Sequence, residues 1–207
     1  MKNLFIVLDG MDGTGKTTQI SLLHQFLFRR YRNINILTTR EPTGGRYGQK
    51  IRSVLSAQQD PYSDKEALLD LYQRDRKEHL ESMILPFLQG KDSKDRLVLC
   101  DRYYYSTIAY QSAQGYDQKK IIEMNKGFRK PDLAIMLDLD PQKALARIHS
   151  TRKIEKFESL DFMEKLRRNF LGMKEILKDN ILIVNSSGDE AETFSLVRKE
   201  CEALISQ

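Results

Sequence analysis

Short apolar runs alternate with longer amphipathic stretches along the whole chain. Runs of four to six mainly apolar residues predict five buried strands, at 4–8, 34–39, 96–101, 133–137 and 181–184. Between these runs, apolar residues recur every three or four positions, which predicts helices. The predicted helices cover 16–31, 48–55, 64–87, 118–128, a segment from Pro141, 159–178 and a closing segment around 194–204.

The alternation of strands and helices determines the expected fold class. Strand–helix–strand units of this kind form parallel sheets with right-handed connections and helices on both faces. A length of 207 residues suits one such domain with a substantial core. The sequence therefore predicts a single α/β domain over 1–207, with a five-stranded parallel sheet between two layers of helices.

The loop between the first strand and the first helix, residues 10–17, has the phosphate-binding pattern of a glycine, four residues and then Gly15-Lys16-Thr17. Backbone N–H groups of such a loop turn toward phosphates, and the following helix N-terminus favours negative charge. The lysine reaches the β- and γ-phosphates, and the threonine hydroxyl binds Mg²⁺. This pattern predicts a three-layer P-loop NTPase fold. The predicted nucleoside triphosphate site consists of Gly10, Met11, Asp12, Gly13, Thr14, Gly15, Lys16, Thr17 and Thr18.

Charged residues follow two of the other predicted strands. Arg40 and Glu41 come at the end of the second strand, and Asp101 and Arg102 at the end of the third. The carboxyl ends of parallel strands face the ligand crevice, so Arg40 and Glu41 are expected to meet a second substrate. Asp101 is the expected second Mg²⁺ ligand, and Arg102 is a bidentate donor for phosphate.

Two further clusters allow both a functional and a structural interpretation. Tyr72 and Arg76 lie four residues apart on one helix face, where they either contact a ligand or serve as core and surface residues. The basic stretch with Arg147 and Arg152, at about 147–158, is either a lid that closes over the triphosphate or a solvated charge run.

Composition adds limits on partners and location. The net charge of +5 fits a site for anionic nucleotides, and no specific nucleic-acid partner is expected. Cys100 and Cys201 have no metal-ligand or redox spacing, which favours a reduced, cytoplasmic protein. No apolar run approaches the length of a membrane span, and no secretory signal is expected.

Five motifs in the same order resemble those of thymidylate kinases of the bacterial and archaeal kind, which are P-loop nucleoside monophosphate kinases. The first is the P-loop with its internal acid, Asp12. The others are 39–42, the aromatic, arginine and histidine of 72–79, the cluster 101–111, and 131–138 leading to Arg147. The resemblance covers essentially the whole chain.

The resemblance implies transfer of the γ-phosphoryl group of ATP to dTMP, giving dTDP and ADP for dTTP biosynthesis, with Mg²⁺ and in a homodimer. It implies that Lys16 and Arg102 are catalytic. Because the P-loop lacks an internal arginine, the remaining catalytic arginine is expected in the lid, where Arg152 is favoured over Arg147.

The resemblance also implies a role for each acceptor-site residue. Arginines would bind the dTMP phosphate, an aromatic ring would stack on thymine, Arg76 would bind its O4, and Tyr110 would crowd the ribose 2′ position. The residues implied to bind dTMP are Asp12, Arg40, Glu41, Arg52, Tyr72, Arg76, Arg102, Thr107, Tyr110 and Gln111. The segment Thr43-Gly44-Gly45 departs from the family's usual Gly-Gly-Thr order at this loop.

Two alternative functions remain open on the sequence. The chain could phosphorylate another pyrimidine nucleotide or a nucleoside, for which Glu41 or Asp101 would act as the base. The arginine cluster argues against a nucleoside, which has no phosphate to bind. The second alternative is a non-catalytic ATP-binding regulatory protein that touches nucleic acid through its positive charge.

Overall fold

The structure is a computed structural model that describes residues 3–57, 65–150 and 157–206. The described residues form five strands in one all-parallel sheet, as predicted, and the structure gives the strand order as β2-β3-β1-β4-β5. The strands are β1 (Asn3–Asp9), β2 (Ile34–Arg40), β3 (Asp95–Asp101), β4 (Leu133–Asp138) and β5 (Ile181–Asn185).

Helices connect the strands and cover both faces of the sheet. Among the described residues they are α1 (Lys16–Arg30), α2 (Arg46–Ala57), α3 (Lys65–His79), α4 (Leu85–Leu88), α5 (Tyr104–Ala113), α6 (Gln118–Asn125), α7 (Pro141–His149), α8 (Leu160–Ile176) and α9 (Glu190–Ser206). None of these helices combines the length and the apolar composition needed to cross a bilayer.

The helix predicted as continuous over 64–87 has a change of geometry in its middle. A π-helical turn, Leu80–Ile84, separates α3 from α4. Pro86 follows this turn, and a proline both lacks an N–H and crowds the preceding turn of an α-helix. The wider turn relieves that conflict while Leu80, Ile84 and Leu88 all stay buried.

Helix α5 has no amphipathic pattern in the sequence, because it is buried on most sides. Its buried residues include Tyr104, Tyr105, Thr107, Ile108 and Gln111. A helix without a polar face gives no helical periodicity of polar and apolar residues. Periodicity alone therefore does not predict this helix, although it carries much of the site described below.

The core has two halves, one on each face of the sheet. Side chains of β1 alternate between them, with Phe5 and Val7 packing toward α4, α5 and α8, and Ile6 and Leu8 toward α1 and α9. Both faces of β1 are buried, as expected for the centre of a parallel sheet. Both cysteines are buried and free.

Truncation of a central core side chain should destabilise the fold. Leu99 on β3 is 0% exposed, so Leu99→Ala should lower the free energy of unfolding by about 2–5 kcal/mol through lost burial and a residual cavity. Urea denaturation would measure this change. Leu196→Ala on α9 is the matched control because Leu196 is 49% exposed, and its stability should stay within about 0.5 kcal/mol.

Candidate active site

The P-loop, residues 10–17, begins at the carboxyl end of β1 and ends in the first turn of α1. Gly10 and Gly13 have φ angles of +138° and +78°, and added Cβ atoms would lie 2.5 Å from the Leu137 carbonyl oxygen and 2.6 Å from that of Ala144. Both positions therefore require glycine for conformation and for space. The loop is held against β4 and α7 as a result.

Lys16 is the buried cation of this loop. Its side chain is 6% exposed, and Nζ donates to the Met11 carbonyl oxygen at 2.7 Å. Thr14 Oγ1 donates to the same oxygen at 2.9 Å. Burial, with a smaller contribution from nearby Arg102, lowers the pKa of Lys16 to about 8.

The pair predicted to hold Mg²⁺ is assembled beside the lysine. Thr17 Oγ1 donates to Asp101 Oδ2 at 2.8 Å, while Asp101 Oδ1 is buried and has no hydrogen-bond partner. Two oxygen donors, one of them an unsatisfied carboxylate oxygen, suit a hard divalent cation. In the described part of the chain, no group of three or more His, Cys, Asp or Glu side chains is arranged so that it could hold a metal ion.

Two clefts meet at the carboxyl edge of the sheet. The P-loop cleft has a volume of about 390 Å³, and the acceptor cleft, as we name its neighbour, has about 430 Å³. Asp12, Arg40 and Arg102 line both. The P-loop cleft is further lined by Gly13, Gly15, Lys16, Thr17, Thr18, Asp101, Arg147 and Ile148. The acceptor cleft is further lined by Glu41, Pro42, Arg52, Leu55, Tyr72, Arg76, Tyr103, Ser106, Thr107, Tyr110, Gln111 and Phe157.

Arg76 is buried in the wall of the acceptor cleft, so its surface interpretation is wrong. The side chain is 1% exposed. Nε donates to Glu41 Oε2 at 3.0 Å, Nη1 to Asn125 Oδ1 at 2.8 Å and Nη2 to Thr107 Oγ1 at 2.9 Å. Nη1 carries two hydrogens, of which the bond to Asn125 uses one.

Glu41 supports this arginine. One carboxylate oxygen pairs with Arg76, and the other lies 3.1 Å from Nδ1 of His79. Nε2 of His79 lies 2.7 Å from Thr39 Oγ1. Both oxygens of Glu41 are therefore engaged by protein groups, although the residue lines the cleft as predicted.

Gln111 presents an unsatisfied acceptor at the same cleft. Its Nε2 donates to Gln114 Oε1 at 2.6 Å, while its Oε1 is buried without a hydrogen-bond partner. Tyr72 also lines the cleft, half-buried, so its interpretation as a pure core residue is wrong. Burial raises the pKa of Tyr72 to about 12, so the phenol stays neutral.

Arg102 lies at the junction of the two clefts. Its Nη2 donates to Asp12 Oδ1 at 2.7 Å, and its guanidinium carbon lies 5.6 Å from the ring centre of Tyr110. The Tyr110 hydroxyl donates to Asp12 Oδ2 at 3.3 Å, and its ring packs edge-on against Phe157. Arg102, Asp12 and Tyr110 thus form one cluster between the clefts.

The other two predicted phosphate-binding arginines are exposed. Arg40 ends β2 and reaches both clefts. Arg52 donates to the carbonyl oxygens of Pro42 at 3.1 Å and Thr43 at 2.6 Å. Asp75 holds the same loop by accepting from the backbone N–H and the hydroxyl of Thr43. The loop whose order departs from the family pattern is therefore anchored on both sides.

Of the two lid arginines, Arg147 lies within the described residues and Arg152 does not. Arg147 lines the P-loop cleft and donates to the carbonyl oxygens of Gly13 at 3.4 Å and Ser186 at 3.1 Å. Arg152 lies outside the described residues, as does half of the predicted lid, residues 151–156. The three consecutive tyrosines that follow Arg102 also separate, because only Tyr103 lines the acceptor cleft. Tyr104 and Tyr105 donate to Asp179 instead.

Several supporting residues were not predicted from the sequence. Asp9, which directly follows the first apolar run, is fully buried and accepts four hydrogen bonds. His79 belongs to one of the family motifs, but no role was assigned to it. Asn125 has no sequence signal because its hydrogen-bond partner, Arg76, lies 49 residues away. Contacts between distant segments leave no local pattern in the sequence.

Comparison with known proteins agrees with this geometry. The family model described as thymidylate kinase matches residues 8–197. A probable thymidylate kinase of Pyrococcus horikoshii is 38% identical over 193 residues, covering 90% of this chain and 89% of the relative. A thymidylate kinase of Geobacillus sp. is 35% identical over 205 residues, covering 95% and 94% of the two chains. The chain belongs to the thymidylate kinase family.

Proposed function

We propose that the chain transfers the γ-phosphoryl group of ATP, bound at the P-loop cleft, to dTMP in the acceptor cleft, giving dTDP and ADP. The observation that carries this proposal is the pair of adjoining clefts with Asp12, Arg40 and Arg102 in both. An acceptor phosphate is already ionised near neutral pH, so positioning and charge stabilisation supply most of the catalysis.

The donor side uses the P-loop. Lys16 binds the β- and γ-phosphates by exchanging its bond to the Met11 carbonyl for phosphate oxygens. Thr17 and Asp101 would hold Mg²⁺, with the free Oδ1 of Asp101 facing the ion directly or through water. When bound, the ion neutralises charge that develops on the transferred group.

The acceptor phosphate is bound by Arg40, Arg52 and Arg102. Burial disfavours the charged form of Arg102, but Tyr110 and the neighbouring carboxylates outweigh it and raise its pKa. The guanidinium therefore stays charged and offers fixed donors to the phosphate oxygens. In this proposal Asp12, which pairs with Arg102, accepts the sugar 3′-hydroxyl, and the ring of Tyr110 disfavours a 2′-hydroxyl.

The wall of the acceptor cleft matches one type of pyrimidine edge. The remaining N–H of Arg76 is a donor for O4, and the unsatisfied Oε1 of Gln111 is an acceptor for N3–H. Cytosine presents an amino group and an unprotonated N3 at these places, which reverses both partners. Thymine and uracil are therefore favoured, with Tyr72 as the stacking surface and the Thr107 hydroxyl beside the base.

The alternatives are weaker on the same geometry. A nucleoside acceptor needs a free base in the acceptor cleft. Both oxygens of Glu41 are taken by Arg76 and His79, and Asp101 lines the P-loop cleft and not the acceptor cleft. A purely regulatory ATP-binding protein would not need the second cleft with its arginines. Membership of a kinase family agrees with both arguments.

Three finer assignments remain part of the proposal. Arg147, through its contact with the P-loop carbonyl of Gly13, supports a lid arginine at the donor phosphates, and Arg152 stays the predicted catalytic one. A homodimer is proposed because Met83, which contacts half-buried Thr39 of β2, is 45% exposed on the π-helical turn between α3 and α4. A cytoplasmic location, supported by two free cysteines, completes the proposal.

Acceptor dependence tests the proposed reaction. ADP release from ATP and Mg²⁺ should be fastest with dTMP and weaker with dUMP, since one methyl group is worth about 1–3 kcal/mol in a hydrophobic pocket. Release should be slow with dCMP, UMP and thymidine, offered one at a time. ADP release at the same rate with and without acceptors would contradict the kinase assignment and favour the regulatory alternative.

Lys16 should control use of ATP. Lys16→Ala should lower kcat about 10²–10³-fold, because it removes charge stabilisation at the transferred group. Lys91 is exposed, so Lys91→Ala serves as the control and should leave kcat unchanged. In the parent enzyme, kcat/KM for ATP should fall as pH rises through about 8, where Lys16 loses its proton and charge. An undiminished kcat/KM well above that pH would contradict this role.

Gln111 should control discrimination of the base. Gln111→Leu keeps the bulk of the side chain but removes the acceptor, so the binding free energy of dTMP should weaken by about 1–3 kcal/mol. That change corresponds to a rise of roughly five- to 150-fold in KM for dTMP, with KM for ATP unchanged. The preference for dTMP over dCMP should shrink in parallel. Gln25→Leu on the exposed surface of α1 is the control. An equal rise in the KM of both substrates would contradict a base contact.

A further inference from the structure

We propose that Asp9 and Ser106 are positioning residues that hold the Arg102 guanidinium where the two clefts meet. Asp9 lines neither cleft, and Ser106 is one of the residues that line the acceptor cleft. Their contact with Arg102 connects the start of the P-loop to the first turn of α5. The inference rests on the proposed role of Arg102 in binding the acceptor phosphate.

Asp9 is the fixed point of this arrangement. Its side chain is 0% exposed. Oδ1 accepts from the Gly10 N–H at 2.8 Å and the Ser106 hydroxyl at 2.6 Å, and Oδ2 accepts from the N–H groups of Tyr103 and Ser106, both at 3.0 Å. Burial raises the pKa of Asp9, but all four partners are donors and favour the carboxylate.

The Ser106 hydroxyl transmits this position to the arginine. It donates its single hydrogen to Asp9 and accepts from Arg102 Nη1 at 2.8 Å. The same Nη1 donates to the Gly10 carbonyl oxygen at 3.1 Å. Because the donor direction of the hydroxyl is set by Asp9, its lone pairs are directed toward the guanidinium.

The backbone conformation that positions Arg102 costs free energy. Its φ is +70°, in the left-handed region that a residue with a Cβ rarely adopts. Such a conformation costs about 1–3 kcal/mol and persists only where the surroundings over-determine it. The Arg102 N–H donates to the Leu8 carbonyl at 2.9 Å, and its own carbonyl accepts from Cys100 Sγ at 3.1 Å.

These contacts distinguish positioning from simple helix capping. To cap α5, Asp9 needs only the backbone N–H groups of Tyr103 and Ser106. The additional bond to the Ser106 hydroxyl gives no support to the helix backbone, yet it orients a group that binds Arg102. Loss of the hydroxyl should therefore affect acceptor turnover more than stability.

A double-mutant cycle between Ser106 and Arg102 tests the proposal. Ser106→Ala should lower kcat/KM for dTMP about tenfold, within the range of coupling energies between residues in contact, and leave KM for ATP within about twofold. Ser106→Thr keeps a hydroxyl and should restore most of the loss. In an Arg102→Ala background, Ser106→Ala should cause almost no further loss.

Ser112→Ala is the matched control, because the Ser112 hydroxyl lies on the same helix and has no hydrogen-bond partner. Urea denaturation of each variant would separate stability from turnover. Asp9→Glu keeps the charge but lengthens the side chain, and a folded variant should show the same loss for dTMP. Asp9→Asn is a poorer test, since a buried amide beside four donors can fail to fold.

Three outcomes would overturn the inference. The first is a Ser106→Ala variant whose kcat/KM for dTMP equals that of the parent enzyme, whatever the variant's stability. Another is an equal loss from Ser106→Ala with and without the Arg102 side chain, which would show an effect independent of the arginine. The third is parental activity of Arg102→Ala, which would also remove Arg102 from the proposed function, whereas the first two leave that function intact.

Discussion

Repulsion between the phosphates of a donor and an acceptor nucleotide is the constraint on which this site depends. Fixed cations must stand where the two anions approach, and water is a poor substitute because it reorganises during the reaction. Arg40 and Arg102 occupy that boundary, with Lys16 on the donor side. Their places follow from the parallel sheet, since β1, β2 and β3 all end at the same edge.

Cations held partly out of water require compensation, and carboxylates from separate elements supply it. Glu41 pairs with Arg76 at 2.8 Å, and Asp12 pairs with Arg102 at 2.7 Å. The Glu41–Arg76 pair is buried; such a pair adds little net stability, but removal of one partner costs about 3–5 kcal/mol because the other charge stays buried. The charges therefore specify the position of each guanidinium more than they stabilise the fold.

The sequence predicted the parts of the molecule that have local signals. The P-loop, the five strands and the family motifs each depend on residues close together in the chain, and the sheet is confirmed. Helix α5 gives no periodic signal because it is buried on most sides. The contact of Arg76 with Asn125 and that of Ser106 with Asp9 form only when segments distant in sequence pack together, and no spacing rule encodes such contacts.

Two features of the clefts favour nucleotide binding: an exchangeable hydrogen bond of Lys16 and two buried oxygens that have no hydrogen-bond partner. Lys16 donates to a carbonyl of its own loop, so binding a phosphate exchanges one hydrogen bond for a stronger, charge-assisted one. Asp101 Oδ1 and Gln111 Oε1 are instead buried without partners, which costs free energy until a ligand satisfies them. In the proposed function, a metal ion at Asp101 and a base N–H at Gln111 would recover that cost on binding. The unsatisfied oxygens therefore favour ligands with positive or donor groups at these points, and this selectivity exists before binding.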